Sequence, residues 1–163
     1  MASGAHNKLV TRAGEYFVAA ELNKRGAYAV PFVLNMPKID LVACNTDQSR
    51  TIHIKVSTKG PTSSTWQTTI SEGKQCRPPE NPRDETEFWV FVDLGDKGKP
   101  LRYWITPCWW IRNDIYEVHR DFLDRHAGQR PRTPDSQHHG INETRLRDWK
   151  EKWEILGIFE GTF

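Results

Sequence analysis

The apolar positions change period several times along the chain, and each change marks an element. From residue 8 to 25 they recur at helical spacing, with Val10, Ala13, Phe17 and Ala20 on one stripe, Val18 and Leu22 beside it, and Gly26 at a C-cap. Glu15 breaks the pattern. Its neighbours three, four and seven residues on are Val18, Ala19 and Leu22, which puts a carboxylate on or beside the inward face of that helix. Three strand-like runs follow, over residues 28–34, 39–44 and 51–58, separated by Asn35-Met36-Pro37 and by the turn-rich residues 45–49. The next stretch, residues 59–83, is polar and proline-bearing and has no clear period; it reads as a mobile loop with room for a short helix near residues 66–73.

Beyond it, residues 88–94 form a strongly apolar strand, joined through a hairpin-like connection at 95–100 to another strand over 101–106. Pro107 starts a helix spanning 108–126, with Trp110, Ile111, Ile115, Val118, Phe122 and Leu123 as its stripe. Residues 128–140 read as a second polar loop. A last helix over about 142–156 is expected to end at Gly157. Of the seven tryptophans, Trp89, Trp104, Trp109, Trp110 and Trp153 fall in or beside apolar patterns and are expected in the core.

A chain of 163 residues fits one domain with a real core that need not depend on disulfides. Lys and Arg number 23 against 21 Asp and Glu, so the net charge of +2 does not by itself announce a polyanion partner. The local balance is more telling. Between residues 48 and 83, Arg50, Lys55, Lys59, Lys74, Arg77 and Arg83 face only Glu72 and Glu80, an excess that suits a phosphate backbone. The three cysteines, Cys44, Cys76 and Cys108, are widely spaced and contain no Cys-x-x-Cys pair, which points to a reducing, cytoplasmic setting. With no apolar h-region and no apolar run of spanning length, no membrane association is expected.

The candidate chemistry lies between Pro37 and Lys55. Asp40 and Lys55 sit in runs that read as central strands, where charged side chains are seldom placed unless something pairs with them or uses them. Strand alternation sets Asp40, Val42 and Cys44 on one face, and His53, Lys55 and Ser57 on the face away from Ile52, Ile54 and Val56. If the two strands pair, Asp40, His53 and Lys55 can share a face. A hard cation such as magnesium takes carboxylate and carbonyl oxygens, which Asp40, the Ile54 carbonyl and Glu15 can supply. Lys55 would then orient the attacking water and offset developing charge. In the loop that follows, Lys59, Trp66, Lys74 and Arg77 make the basic and aromatic mixture that nucleic-acid surfaces use.

The order of these residues resembles the PD-(D/E)XK nuclease superfamily: an acid on the first helix (Glu15), strands, Asp40 after Pro37, and Lys55 two residues past the second motif position. The spacing is similar to that of archaeal-type Holliday-junction resolvases and related restriction-like nucleases. The resemblance covers roughly residues 8–106, and residues 107–163 read as a helical C-terminal extension. It implies an α/β restriction-endonuclease-like core, a mixed central sheet flanked by helices in the order αβββαβ, Mg2+ or Mn2+, and hydrolysis of DNA phosphodiester bonds. Dimers would suit cleavage of both strands.

One position departs from the family pattern. Two residues before Lys55 the family carries Glu, Asp or Gln, and here stands His53. A neutral imidazole is a poor magnesium ligand but an acceptable manganese one, so His53 either shifts the metal preference, acts as a base or marks a degenerate site. The leading expectation is a metal-dependent DNA endonuclease with Asp40, Glu15, Lys55 and His53 as its site. Its rivals are a nucleic-acid-binding module on the same fold that has lost cutting, and a non-enzymatic interaction domain that uses the tryptophan-rich C-terminal part.

Overall fold

The computed structural model describes residues 4–32 and 36–160. Helix α1 (Gly4–Lys24) is followed by strands β1 (Tyr28–Pro31), β2 (Leu41–Cys44), β3 (Thr51–Lys59), β4 (Thr65–Thr69), β5 (Glu87–Asp93) and β6 (Arg102–Pro107). Helix α2 (Cys108–Asp124) and strand β7 (His138–Asn142) complete the regular elements, with short 3-10 turns between and after them. Five strands form one sheet in the order β1-β2-β3-β5-β6, antiparallel except where β3 and β5 run parallel. The other two, β4 and β7, make a separate antiparallel ribbon.

The sheet divides the core into two layers. Ile52, Ile54 and Val56 of β3, Leu41 and Ala43 of β2, and Val90 and Val92 of β5 pack on one side with Val18 and Leu22 of α1. Trp89 and Phe91 of β5 and Trp104 of β6 pack on the other with Ile111 and Ile115 of α2 and with Trp66 and Ile141 from the ribbon. Six consecutive buried residues in β5, Phe88 to Asp93, are what a strand covered on both faces requires. Trp89, Trp104 and Trp153 are buried as expected, while Trp109 and Trp110 are half-buried.

Helix α1 ends as its sequence indicates. Gly26 takes φ +94°, its amide donates to the Asn23 carbonyl, and Ala27 donates to Leu22, the paired bonds of a Schellman cap. The buried stripe is offset from the expected one, however. Gly14, Glu15, Val18, Ala19 and Leu22 face the sheet, and Phe17 and Ala20 face outward. The offset follows from contact with β3: a Cβ on Gly14 would lie 1.8 Å from the Thr58 hydroxyl oxygen, so glycine is what lets helix and strand approach this closely. Gly14→Ala is therefore expected to destabilise the fold by about 1–3 kcal/mol, the usual cost of overpacking, read from chemical denaturation. A mutant as stable as the parent would mean that Thr58 yields freely.

Several expected elements differ. The helix between the third and fourth strands of an αβββαβ order is absent; residues 60–86 cross from β3 to β5 through β4 and two 3-10 turns, Ile70–Glu72 and Pro82–Asp84. Residues 65–69 alternate inward and outward, with Trp66 and Thr68 buried, and their strand partner lies about seventy residues away at Trp66↔Ile141 and Thr68↔His139. Such a distant pairing leaves no local period, which is why both 59–83 and 128–140 read as loops.

The helix expected over 142–156 is also absent, and of the helical C-terminal extension only α2 is helical. Leu146 packs on the α2 side of the sheet, whereas Trp153, Leu156 and Ile158 pack on the α1 side. No single helix could serve both layers. The chain instead crosses the edge strand β6, with the Glu151 amide donating to the Tyr103 carbonyl and Lys150 bridging Trp104. Gly157 does terminate a turn, Trp153–Leu156, in the left-handed conformation. The expected strand over 28–34 is seen to Pro31, and residues 33–35 lie outside the described ones. Among the described residues no helix is long and apolar enough to cross a membrane.

Candidate active site

The site forms where β2 begins beside a β3 that runs on. Leu41 pairs with Ile54, and one residue earlier the Asp40 amide donates to the Ile54 carbonyl at 2.9 Å. Among the described residues β3 has no neighbouring strand on this side beyond that point. The Asp40 carboxylate fills the gap, and its Oδ2 accepts the Val56 amide at 2.7 Å. The turn that delivers Asp40 is constrained, since Lys38 holds φ +73°, a conformation uncommon outside glycine.

Glu15 reaches the same place from α1, where it is 7% exposed. Arg12, one turn earlier, donates from Nη1 to Glu15 Oε2 at 2.6 Å and to the Phe32 carbonyl at 2.8 Å. Burial pushes the Glu15 carboxyl above its ordinary range; the Arg12 guanidinium opposes this, and the Asp40 charge adds to it. Burial likewise raises Asp40, outweighing the Val56 amide and the positive charges of Lys55 and Arg12. Two desolvated carboxylates from different elements thus share a region, and a bound cation would relieve both.

Lys55 extends from β3 on the α2 side. Its Nζ is 2.7 Å from Glu72 Oε1 and 4.6 Å from the centre of the Trp89 ring. His53 is half-buried on the same face and lines a cavity of about 150 Å3 with Lys55, Glu72, Glu87, Cys108 and Arg112. A larger groove, about 400 Å3, runs between the first half of α1, the end of β3 and the ribbon; Thr11, Thr58, Ser63, Gln67, His6 and His138 are among its walls.

Asp40 stands at the sheet edge, within electrostatic reach of Glu15 on the α1 side and of Lys55 on the α2 side, and His53 lies two residues before Lys55 on the same strand face. The Ile54 carbonyl already accepts the Asp40 amide, which leaves it one lone pair. Two nucleic-acid candidates do not lie on the surface. Trp66 is fully buried and donates its indole N–H to the Val92 carbonyl at 2.8 Å. Lys59 is buried against Asp93 Oδ2 at 2.7 Å, with its ammonium over the Trp66 ring. Burial would raise Asp93, but bonds from Lys59, the Gly95 amide and Arg102 hold its carboxyl below the ordinary range. Lys74 and Arg77 are exposed.

Much of the local basic excess is structural in the same way. Arg50 donates to the Leu156, Arg83 and Glu85 carbonyls, tying the crossover to the C-terminal segment. Arg12 and Glu72 were not identified from sequence. The three-residue spacing of Arg12 and Glu15 on one helix could have signalled the first; nothing local signals the second.

The fold is restriction-endonuclease-like. The chain matches the structure of a bacterial homing endonuclease, I-Ssp6803I, over 92% of its own length and 93% of that chain, with a TM-score of 0.51 and 13% sequence identity. At that identity the likeness is one of fold. No family model and no curated sequence matches the chain.

Proposed function

We propose that the protein is a metal-dependent endonuclease that hydrolyses DNA phosphodiester bonds. The observation that supports this reading is the half-buried Asp40 carboxylate held against the Val56 amide where β2 and β3 part, with the buried Glu15 of α1 and Lys55 of β3 both within electrostatic reach of it. Among the described residues no three His, Cys, Asp or Glu side chains cluster as a self-sufficient metal site. Two carboxylates and a carbonyl nonetheless fit magnesium or manganese, which keep waters and substrate oxygens among their ligands. Asp40, Glu15 and the Ile54 carbonyl would hold the ion, which when bound supplies Lewis-acid activation of water and phosphate.

The chain's own groups account for the rest. Lys55 places a positive charge beside Asp40 and the phosphoryl oxygens, where charge grows in the transition state. Arg12 holds Glu15 by donating from Nη1 to its Oε2. The hydroxyl-lined groove between α1 and β3 supports the path of a phosphodiester backbone, because Thr11 lies one helical turn before Glu15 and Thr58 two residues past Val56.

His53 favours a second reading, a nucleic-acid-binding module without cutting. The two are separated by metal preference. The wild-type protein is expected to nick plasmid or branched DNA better with manganese than with magnesium, and His53→Glu to reverse that order by returning a hard oxygen donor to the motif. Salt-sensitive DNA binding with no cleavage in either metal, by both proteins, would leave the binding module instead. A tryptophan-faced interaction surface has less support, since none of the seven tryptophans is exposed.

A further inference from the structure

The residue that touches Lys55 most directly comes from outside the motif. Glu72 sits at the end of the 3-10 turn Ile70–Glu72, in the crossover between β4 and β5, with its side chain 19% exposed. Its neighbourhood holds it in place. A Cβ on the adjacent Gly73 would meet the Ile115 side chain at 2.9 Å and the Tyr116 amide at 3.0 Å, so this backbone lies directly on α2. The Lys74 amide donates to the Arg112 carbonyl, the Cys76 amide to Asn113 Oδ1, and the Ile70 amide to the Gln137 carbonyl. Glu72 is therefore presented from a segment fastened to α2 and to the chain leading into β7. Beneath the ion pair lies the Trp89 ring, which confines the lysine from the sheet side.

A four-carbon lysine stem has many rotamers, and a free ammonium on β3 could turn toward solvent or along the strand. We propose that Glu72 is the positioning residue for Lys55: its carboxylate, together with the Trp89 ring, selects the lysine rotamer that holds the ammonium on the α2 face of β3. An acid contributed by the crossover thus orders the strand whose motif position carries His53 in place of an acid. The catalytic consequence rests on the nuclease reading above; the positioning itself does not.

The test uses the full chain with Glu72→Ala, Glu72→Gln and Lys55→Ala. In nitrogen-15 spectra of the lysine side chains, the wild-type protein is expected to show an exchange-protected Lys55 ammonium, identified by its loss in Lys55→Ala. Glu72→Ala loses that signal, and Glu72→Gln keeps it because the amide oxygen accepts the same bond. In single-turnover cleavage Glu72→Ala falls on the order of 10- to 100-fold at unchanged DNA affinity, the scale of a misplaced catalytic group, while Glu72→Gln keeps most of the rate. Adding Glu72→Ala to Lys55→Ala has no further effect. Should Glu72→Ala not fold, Glu72→Asp, one methylene shorter, gives the same readings. A protected ammonium that survives in Glu72→Ala overturns the proposal, as does a Glu72→Ala protein that cuts as fast as the wild type or faster. If the wild type cuts no DNA, the nuclease reading alone fails, and the ammonium signal still decides whether Glu72 positions Lys55.

Discussion

Asp40→Ala is expected to abolish cutting and weaken divalent-metal binding, whereas Lys55→Ala keeps metal binding and loses about two orders of magnitude or more in turnover. The asymmetry follows from where the two groups sit. Asp40 is a desolvated carboxylate whose carboxyl is held above its ordinary range chiefly by burial, a cost that a cation offsets. Lys55 contributes charge and no ligand oxygen. Because Asp40 also accepts the Val56 amide, its alanine variant leaves a backbone donor unpaired, at about 1–3 kcal/mol. Asp40→Asn is the cleaner variant, since it removes the charge and retains an oxygen for Val56. Calorimetric titration with magnesium and manganese, beside nicking of plasmid and branched DNA, reads both effects. Unchanged nicking by the Asp40 and Lys55 variants would locate the activity elsewhere.

Trp66→Ala is expected to cost about 3–5 kcal/mol of stability, the range for deleting a buried tryptophan, and to lower the melting temperature by about 10 °C or more. The indole is wholly enclosed, packs edge-on to Trp104 at 4.9 Å and to Phe91 at 5.8 Å, and spends its only donor on Val92. It also floors the buried Lys59–Asp93 pair. Denaturant unfolding measures the loss. A Trp66→Ala protein of normal stability but reduced DNA affinity would return this residue to a nucleic-acid surface and contradict its place in the ribbon.

Misplacing Trp66 from sequence has a definite cause. An aromatic between Lys59, Lys74 and Arg77 has the composition of a nucleic-acid loop, and composition does not reveal burial. Burial is set by the partner strand, His138–Asn142, which no local pattern connects to Thr65–Thr69. The C-terminal segment failed for a related reason. Leu146, Trp149, Trp153 and Leu156 are spaced at three and four residues, as on a helix, yet they serve two layers on opposite sides of the sheet. Periodicity records which residues are apolar and not which surface each one covers.

Local sequence settles the order of the elements and the chemistry they carry: α1 with its glycine cap and its inward Glu15, the β2 and β3 runs with Asp40 and Lys55, the apolar β5, the hairpin into β6, and α2. These rest on side-chain periods and turn residues that act within a few positions, so they are legible without a fold. Tertiary structure alone decided which charges are free to meet a ligand. Lys59 and Arg50 were committed to buried and backbone partners, Trp66 to the core, and Glu72 to Lys55. Each of those outcomes depends on a contact across at least seventeen residues of chain, as between Lys55 and Glu72, and such contacts form only when the sheet, the ribbon and α2 close on one another.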